Sequence, residues 1–152
     1  MKYKVFPVLM VLLSCFCTNA QETLYLGVRL AGASSLEAGG GAAPYLGLQL
    51  GVRALEPVDL RVSYDASLGL TYASADLLYT QPLSENARAY TGIGPDYYAD
   101  GWNGESDYGL HGTVGLEYRT GFVGLFAEAQ PIYGFGIAAL RVRFGLGVNF
   151  HF

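Results

Sequence analysis

From Leu140 to the C-terminus the chain alternates. Leu140, Val142, Phe144, Leu146, Val148, Phe150 and Phe152 are large and apolar, while Arg141, Arg143, Gly145, Gly147, Asn149 and His151 fall between them. A repeat of two is the signature of a β-strand with one dry face and one polar face. The same period runs through seven earlier stretches: Thr23–Ala33, Pro44–Ala54, Val58–Ser67, Ser74–Gln81, Arg88–Tyr98, Tyr108–Arg119 and Phe122–Ile132. The pattern therefore predicts eight strands. Pro95 falls inside the fifth, a position that argues for an edge or a bulge. Leu55–Pro57, Pro82–Ala87 and Thr120-Gly121 read as short turns, and Ser34–Ala43 and the acidic Ala99–Asp107 as loops of about ten residues. The remaining connections are Leu68–Ala73 and Tyr133–Gly136. Short and long connections thus alternate.

What precedes the first strand is of another kind. Lys2 and Lys4 lead into an apolar run, Val5 to Cys17, and Thr18-Asn19-Ala20 offers small residues at a cleavage position before Gln21. This is the pattern of a secretory signal peptide, so residues 1–20 are expected as leader and 21–152 as one barrel domain. Leu12-Leu13-Ser14-Cys15 loosely resembles a lipobox, which would instead leave Cys15 as a lipidated N-terminus. Both cysteines lie in the leader.

Beyond it there is no lysine, and seven arginines face thirteen carboxylates, a formal charge of −6. That balance disfavours a nucleic-acid partner. Charged residues are 14% of the chain, against about a quarter in ordinary soluble domains. No apolar run after the leader approaches the ~20 residues of a membrane helix. An exported, charge-poor chain without such a helix crosses lipid as a closed barrel. The expected fold is all-β: an eight-stranded antiparallel transmembrane up-and-down barrel.

Alternation does not say which face is inside. A soluble lipocalin-like barrel puts its apolar face inward. Here the apolar face carries no charge, and the chain has too few charges to solubilise an outer surface. Aromatics also gather near strand ends, at Tyr25, Tyr45, Tyr64, Tyr79, Tyr97, Tyr118, Phe150 and Phe152, as in the girdles of membrane barrels. With the polar face inside, the lumen is expected to hold Arg29, Arg53, Arg61, Arg119, Arg141 and Arg143 with Asp59, Asp65, Asp76, Glu117 and Glu128. A barrel of eight strands is just wide enough to be filled by side chains, and buried charges persist when paired. The set reads as a salt-bridge plug, with Arg53 and Asp59 as a pair across the first turn. A narrow ion path is the alternative.

The leader, the alternation, the order of connections and the closing Phe144-x-Leu146-x-Val148-x-Phe150-x-Phe152 together resemble the small eight-stranded outer-membrane barrels of the OmpA, OmpX and opacity-protein type. The resemblance covers Thr23 to Phe152. It implies a bacterial outer-membrane location, contact with outer-membrane lipid, and recognition of the closing pattern by the barrel-assembly machinery. It says little about activity, since such barrels serve as anchors, adhesins, small pores or enzymes.

Chemistry-bearing residues are few. A hydrolase needs serine, histidine and acid together. His111, with Ser63 or Glu117, comes nearest, but no motif supports it, and His111 reads as a hydrogen-bonded lumenal histidine. His151 is expected solvated at the periplasmic rim. Asp96, Asp100, Gly101 and Asp107 have the outline of a broken calcium loop, with Tyr98 at a ligand position. No metal, cofactor or enzyme activity is expected. Asp100, Trp102, Glu105 and Asp107 are the candidate contacts for an extracellular partner at the 99–107 loop. The function read from the sequence is a structural or surface-interaction barrel of the envelope. The alternative is a narrow, low-conductance, porin-like channel for small anionic solutes.

Overall fold

The computed structural model describes residues 24–35, 43–136 and 140–152. The leader, Cys15 and most of the Ser34–Ala43 connection lie outside the described residues. Eight strands follow in order: β1 (Leu24–Ser35), β2 (Ala43–Leu55), β3 (Val58–Ala66), β4 (Leu70–Pro82), β5 (Ala87–Asp100), β6 (Glu105–Thr120), β7 (Val123–Gly134) and β8 (Leu140–His151). Each pairs antiparallel with its sequence neighbours, and β8 pairs back onto β1 to close a barrel. Paired residues lead from Tyr25 through Gly51 and Arg61 to Asp76 and, across the unbroken β4–β5 register, from Gly94 through His111, Ile132 and Arg141 to Ser35, further along the strand where the path began. That stagger is what tilts the strands of a closed barrel, by roughly 35–45°.

Closure satisfies the backbone and leaves two faces. Leu26, Leu30, Leu46, Leu48, Val62, Leu77, Ile93, Leu116, Phe144 and Leu146 point outward and stay exposed. No charged residue occupies an outward position of a described strand. Arg29, Arg61, Arg141, Arg143, their carboxylate partners, Gln49, Gln130 and both histidines point inward. The molecule is thus dry outside and polar inside, the reverse of a soluble barrel.

Several strands run further than the alternation predicts. The expected nine-residue Ala99–Asp107 loop is mostly strand, and only 101–104 remains as a turn between β5 and β6. Acidic residues there read as loop, but Asp107 alternates with its neighbours and faces the lumen. Likewise β4 begins at Leu70, so the Leu68–Ala73 connection shrinks to 67–69. Tyr72 had masked this change of phase: it is apolar yet lumenal, 3% exposed. Glu56-Pro57, 83–86 and Gly121-Phe122 join strands at the end where the chain terminates, here the turn end. The opposite end is the loop end.

Pro95 does not make an edge. It pairs with Leu110 on β6, and the register to β4 is unchanged on either side, from Ser74–Asp96 to Leu77–Ile93. Closure removes edges, so the missing N–H costs one ladder bond rather than the strand. Beside it, Gly94 lies so near the carbonyl of Ala75 that a Cβ would strike the backbone.

Candidate functional site: the lumenal charge network

Inward-facing positions of all eight strands converge on one network. At its centre Glu128 on β7 accepts from Arg29 Nη1 at 2.6 Å, from Arg61 Nη1 at 2.6 Å and from the Tyr90 hydroxyl at 3.0 Å. Arg29 also donates Nε to Asp65 at 2.6 Å, and a second guanidinium nitrogen meets the other oxygen of the same carboxylate. This fork-to-fork geometry is the strong form of an arginine–carboxylate contact. Arg61 Nε reaches Asp76 at 3.1 Å. These side chains are almost wholly removed from solvent, where a charge persists only with partners.

Toward the loop end, Arg143 lies 3.2 Å from Asp65 and 3.3 Å from Asp96 and donates to Gln130 at 2.7 Å. His111 Nε2 lies 2.8 Å from Asp76 and its Nδ1 lies 3.9 Å from Asp96. Thr113 donates to the same Asp76 oxygen at 2.6 Å. Above these, Tyr45, Tyr72 and Tyr98 form an aromatic layer with ring centroids about 5 Å apart. Arg143 lies over the Tyr72 ring at 5.1 Å and Arg141 over Tyr98 at 4.8 Å. Arg141 also faces Asp107 at 3.5 Å.

Toward the turn end, Arg88 pairs with Glu117, which also accepts from Asn149 at 2.9 Å and lies 2.9 Å from His151 Nε2. Arg53 donates to Asp59 at 3.1 Å, as the sequence suggests. Beyond them a vestibule of about 470 Å³ opens among Arg53, Glu56, Arg88 and Arg119. Deeper in, a cavity of about 10 Å³ lies among Tyr25, Arg61, Tyr90 and Glu117, room for about one water molecule.

Most of the expected lumenal set is therefore gathered: Arg29, Arg53, Asp59, Arg61, Asp65, Asp76, Glu117, Glu128, Arg141 and Arg143. Arg119 shares the lumenal parity and lies at the rim, lining the vestibule, where its Nε donates to the Gly121 carbonyl at 2.9 Å. Sequence reasoning missed Arg88, Asp96 and Asp107 as network members. All three share the lumenal parity of their strands; Arg88 and Asp96 fall within the expected fifth strand, Asp96 being read with a calcium-loop outline, and Asp107 falls in the expected loop.

Asp107, expected as a loop contact, is instead buried, accepting from the Gly136 N–H at 2.6 Å. Asp96 and Asp107 turn inward while Asp100 ends β5 beside the turn, so these residues do not form a calcium loop. His151 is buried against Glu117 and the Tyr25 ring rather than solvated. His111 is hydrogen-bonded and lumenal, as expected, but its partners are Asp76 and Asp96, not Ser63 or Glu117. Tyr25 and Tyr45 belong to the lumen, not to a girdle. Tyr79, Tyr118, Phe150 and Phe152 are exposed at the turn end, with Phe122 stacked on Phe150. Tyr97 and Tyr108 pair at 4.9 Å near the loop end. Phe144, Leu146, Val148, Phe150 and Phe152 all lie on the outward face of the last strand, only Val148 being partly shielded.

At the loop end, Asp100, Trp102 and Glu105 lie in or beside the 101–104 turn. Asp100 accepts from the N–H groups of Trp102 at 2.8 Å and Asn103 at 3.3 Å. These bonds, led by that from Trp102, hold its carboxyl below the usual carboxylate range.

No family model matches the chain, and no curated protein matches it in sequence. Its fold is that of the small eight-stranded outer-membrane barrels. The N-terminal β-barrel domain of Pseudomonas aeruginosa OprF superposes with a TM-score of 0.68 at 20% identity, covering 87% of this chain and 100% of that one. Neisserial surface protein A gives 0.60 at 18% identity, covering 85% and 96%. Ail, the attachment invasion locus protein of Yersinia pestis, solved with the heparin analogue sucrose octasulfate, gives 0.57 at 12% identity, covering 86% and 97%.

Proposed function

We propose that this chain is an integral outer-membrane barrel whose lumen is a packed polar plug, and that it acts as an envelope scaffold presenting its loop end to the exterior. The observation that carries this reading is the inversion of polarity. Outward positions of the described strands carry no charge, while six arginines (Arg29, Arg53, Arg61, Arg88, Arg141 and Arg143) and seven carboxylates (Asp59, Asp65, Asp76, Asp96, Asp107, Glu117 and Glu128) fill the interior. Leucines and phenylalanines on that scale are stable against hydrocarbon and costly against water. Arginines held by two or three acceptors leave no wide aqueous path. The exposed residues of the closing strand form the surface offered to the barrel-assembly machinery.

The vestibule at the turn end favours a second reading, a narrow channel for small anions entered past Arg53 and Arg88. On that reading the central arginine pairs open transiently.

The test of the membrane reading is fractionation of envelopes and migration on a denaturing gel. The protein is expected in the outer-membrane fraction, to require detergent for extraction, and to migrate differently before and after boiling. Recovery as a soluble protein without detergent would sink it.

A further inference from the structure

The loop end carries a feature the barrel does not need. Trp102 and Leu68 are exposed by 76% and 86%, on neighbouring turns that are locked to each other. The Gly101 N–H donates to the Gly69 carbonyl at 2.7 Å. The Trp102 indole lies directly over Gly69, leaving no room for a Cβ there, and Gly69 has a φ of 79°. Asp100 fixes the second turn through both N–H bonds and a third bond from the Asn103 amide at 2.8 Å. A tryptophan held on a rigid base loses little freedom on binding, and tryptophan is over-represented among residues that carry binding energy.

The charge around it has one sign. Asp100 and Glu105 flank Trp102, and Asp100 stays ionised through its backbone bonds. The arginine of this end, Arg141, is buried with its guanidinium against the Tyr98 ring. Among the described residues the loop end exposes no cation, and the sequence after the leader has no lysine.

We infer that the Leu68–Trp102 platform is a docking surface for a cationic segment of another protein, one that lays an arginine or lysine over the indole and pairs with Asp100 and Glu105. An indole face attracts a guanidinium, and flanking carboxylates strengthen the attraction. A polyanion such as a sulfated saccharide meets repulsion at the same place. The inference rests on the barrel reading above, which puts this end outside the cell.

Trp102 is the chain's only tryptophan, so its fluorescence reports the platform directly. The refolded protein, in phosphatidylcholine bilayers and checked for its folded gel mobility, is titrated with an arginine-rich octapeptide, a glutamate-rich octapeptide and sucrose octasulfate. A saturable fluorescence change with the arginine peptide alone, weakened by salt, is expected. Glu105→Gln is expected to weaken it about threefold and Asp100→Asn with Glu105→Gln about tenfold. The Glu105 side chain makes no bond that holds the turn, so the first variant separates charge from folding. No saturable change, equal affinity in the variants, or a response to sucrose octasulfate instead would overturn the proposal. Loss of folded gel mobility would instead count against the barrel reading itself.

Discussion

At the turn end of the lumen, Arg53 and Arg88 meet their carboxylates beside an open vestibule, with their guanidinium groups partly wet. At the centre and loop end, Arg29, Arg61 and Arg143 meet theirs with almost no solvent contact, beside a layer of tyrosines. The residue types are the same and the distances similar. What differs is hydration. A wet pair gains little because water screens it and competes for both partners. A dry pair repays a large desolvation cost through its partner alone, so loss of one member strands a charge. The same polar alternation along the strands thus yields a soft mouth and a rigid plug.

Glu128→Gln should have the largest effect, because Arg29, Arg61 and the Tyr90 hydroxyl all meet that carboxylate. A loss of about 3–5 kcal/mol is expected from breaking one member out of a buried set. The shift of the urea midpoint, followed by gel mobility, reads it. A change as small as that of a surface pair would erase the contrast between the two ends.

Tyr72→Ala comes next, at about 3 kcal/mol from lost aromatic packing and two cation–π faces. It should also admit hydrogen exchange at the Arg141 and Arg143 guanidinium groups, which a purely local cavity would not do. Arg88→Gln at the wet end should cost only about 1 kcal/mol, since Glu117 keeps Asn149 and His151 as partners. A cost equal to that of Glu128→Gln would mean the mouth is as dry as the centre.

The smallest effect lies outside the lumen. The folded-state pKa of Asp100 is depressed, so its contribution to turn order is complete above the ordinary aspartate pKa. It is lost as pH falls through the lowered value. Trp102 fluorescence should therefore stay constant from neutral pH down through the ordinary carboxylate range and change only below it. A change beginning near pH 6 would contradict the Asp100 bonds.

Parity was the legible part of this molecule. Eight strands, the inward set from Arg29 to Arg143 and the outward face of β8 all follow from a period of two. Where reading failed, it failed for definable reasons. Asp107 resembles a loop residue because a charged strand facing a polar lumen has the composition of a loop. Tyr25, Tyr45 and Tyr72 are apolar enough to suggest lipid, but pack against histidine, one another and arginine inside. Arg119 has the lumenal parity and lies at the rim beside the end of β6, where its Nε also reaches the Gly121 carbonyl. No periodicity encodes which carboxylate an arginine chooses. Arg29 meets Glu128, which lies 99 residues away in the chain, because the barrel's closure brings β1 and β7 to one axis.

The plug is tested most directly by conductance of the refolded protein in planar bilayers, with folded gel mobility shown for the same preparation. The account predicts silence, because the dry centre stays closed even though the mouth is open. Discrete, reproducible steps from the folded barrel, with an anion preference lost in Arg61→Gln or Arg143→Gln, would contradict it and establish the channel instead.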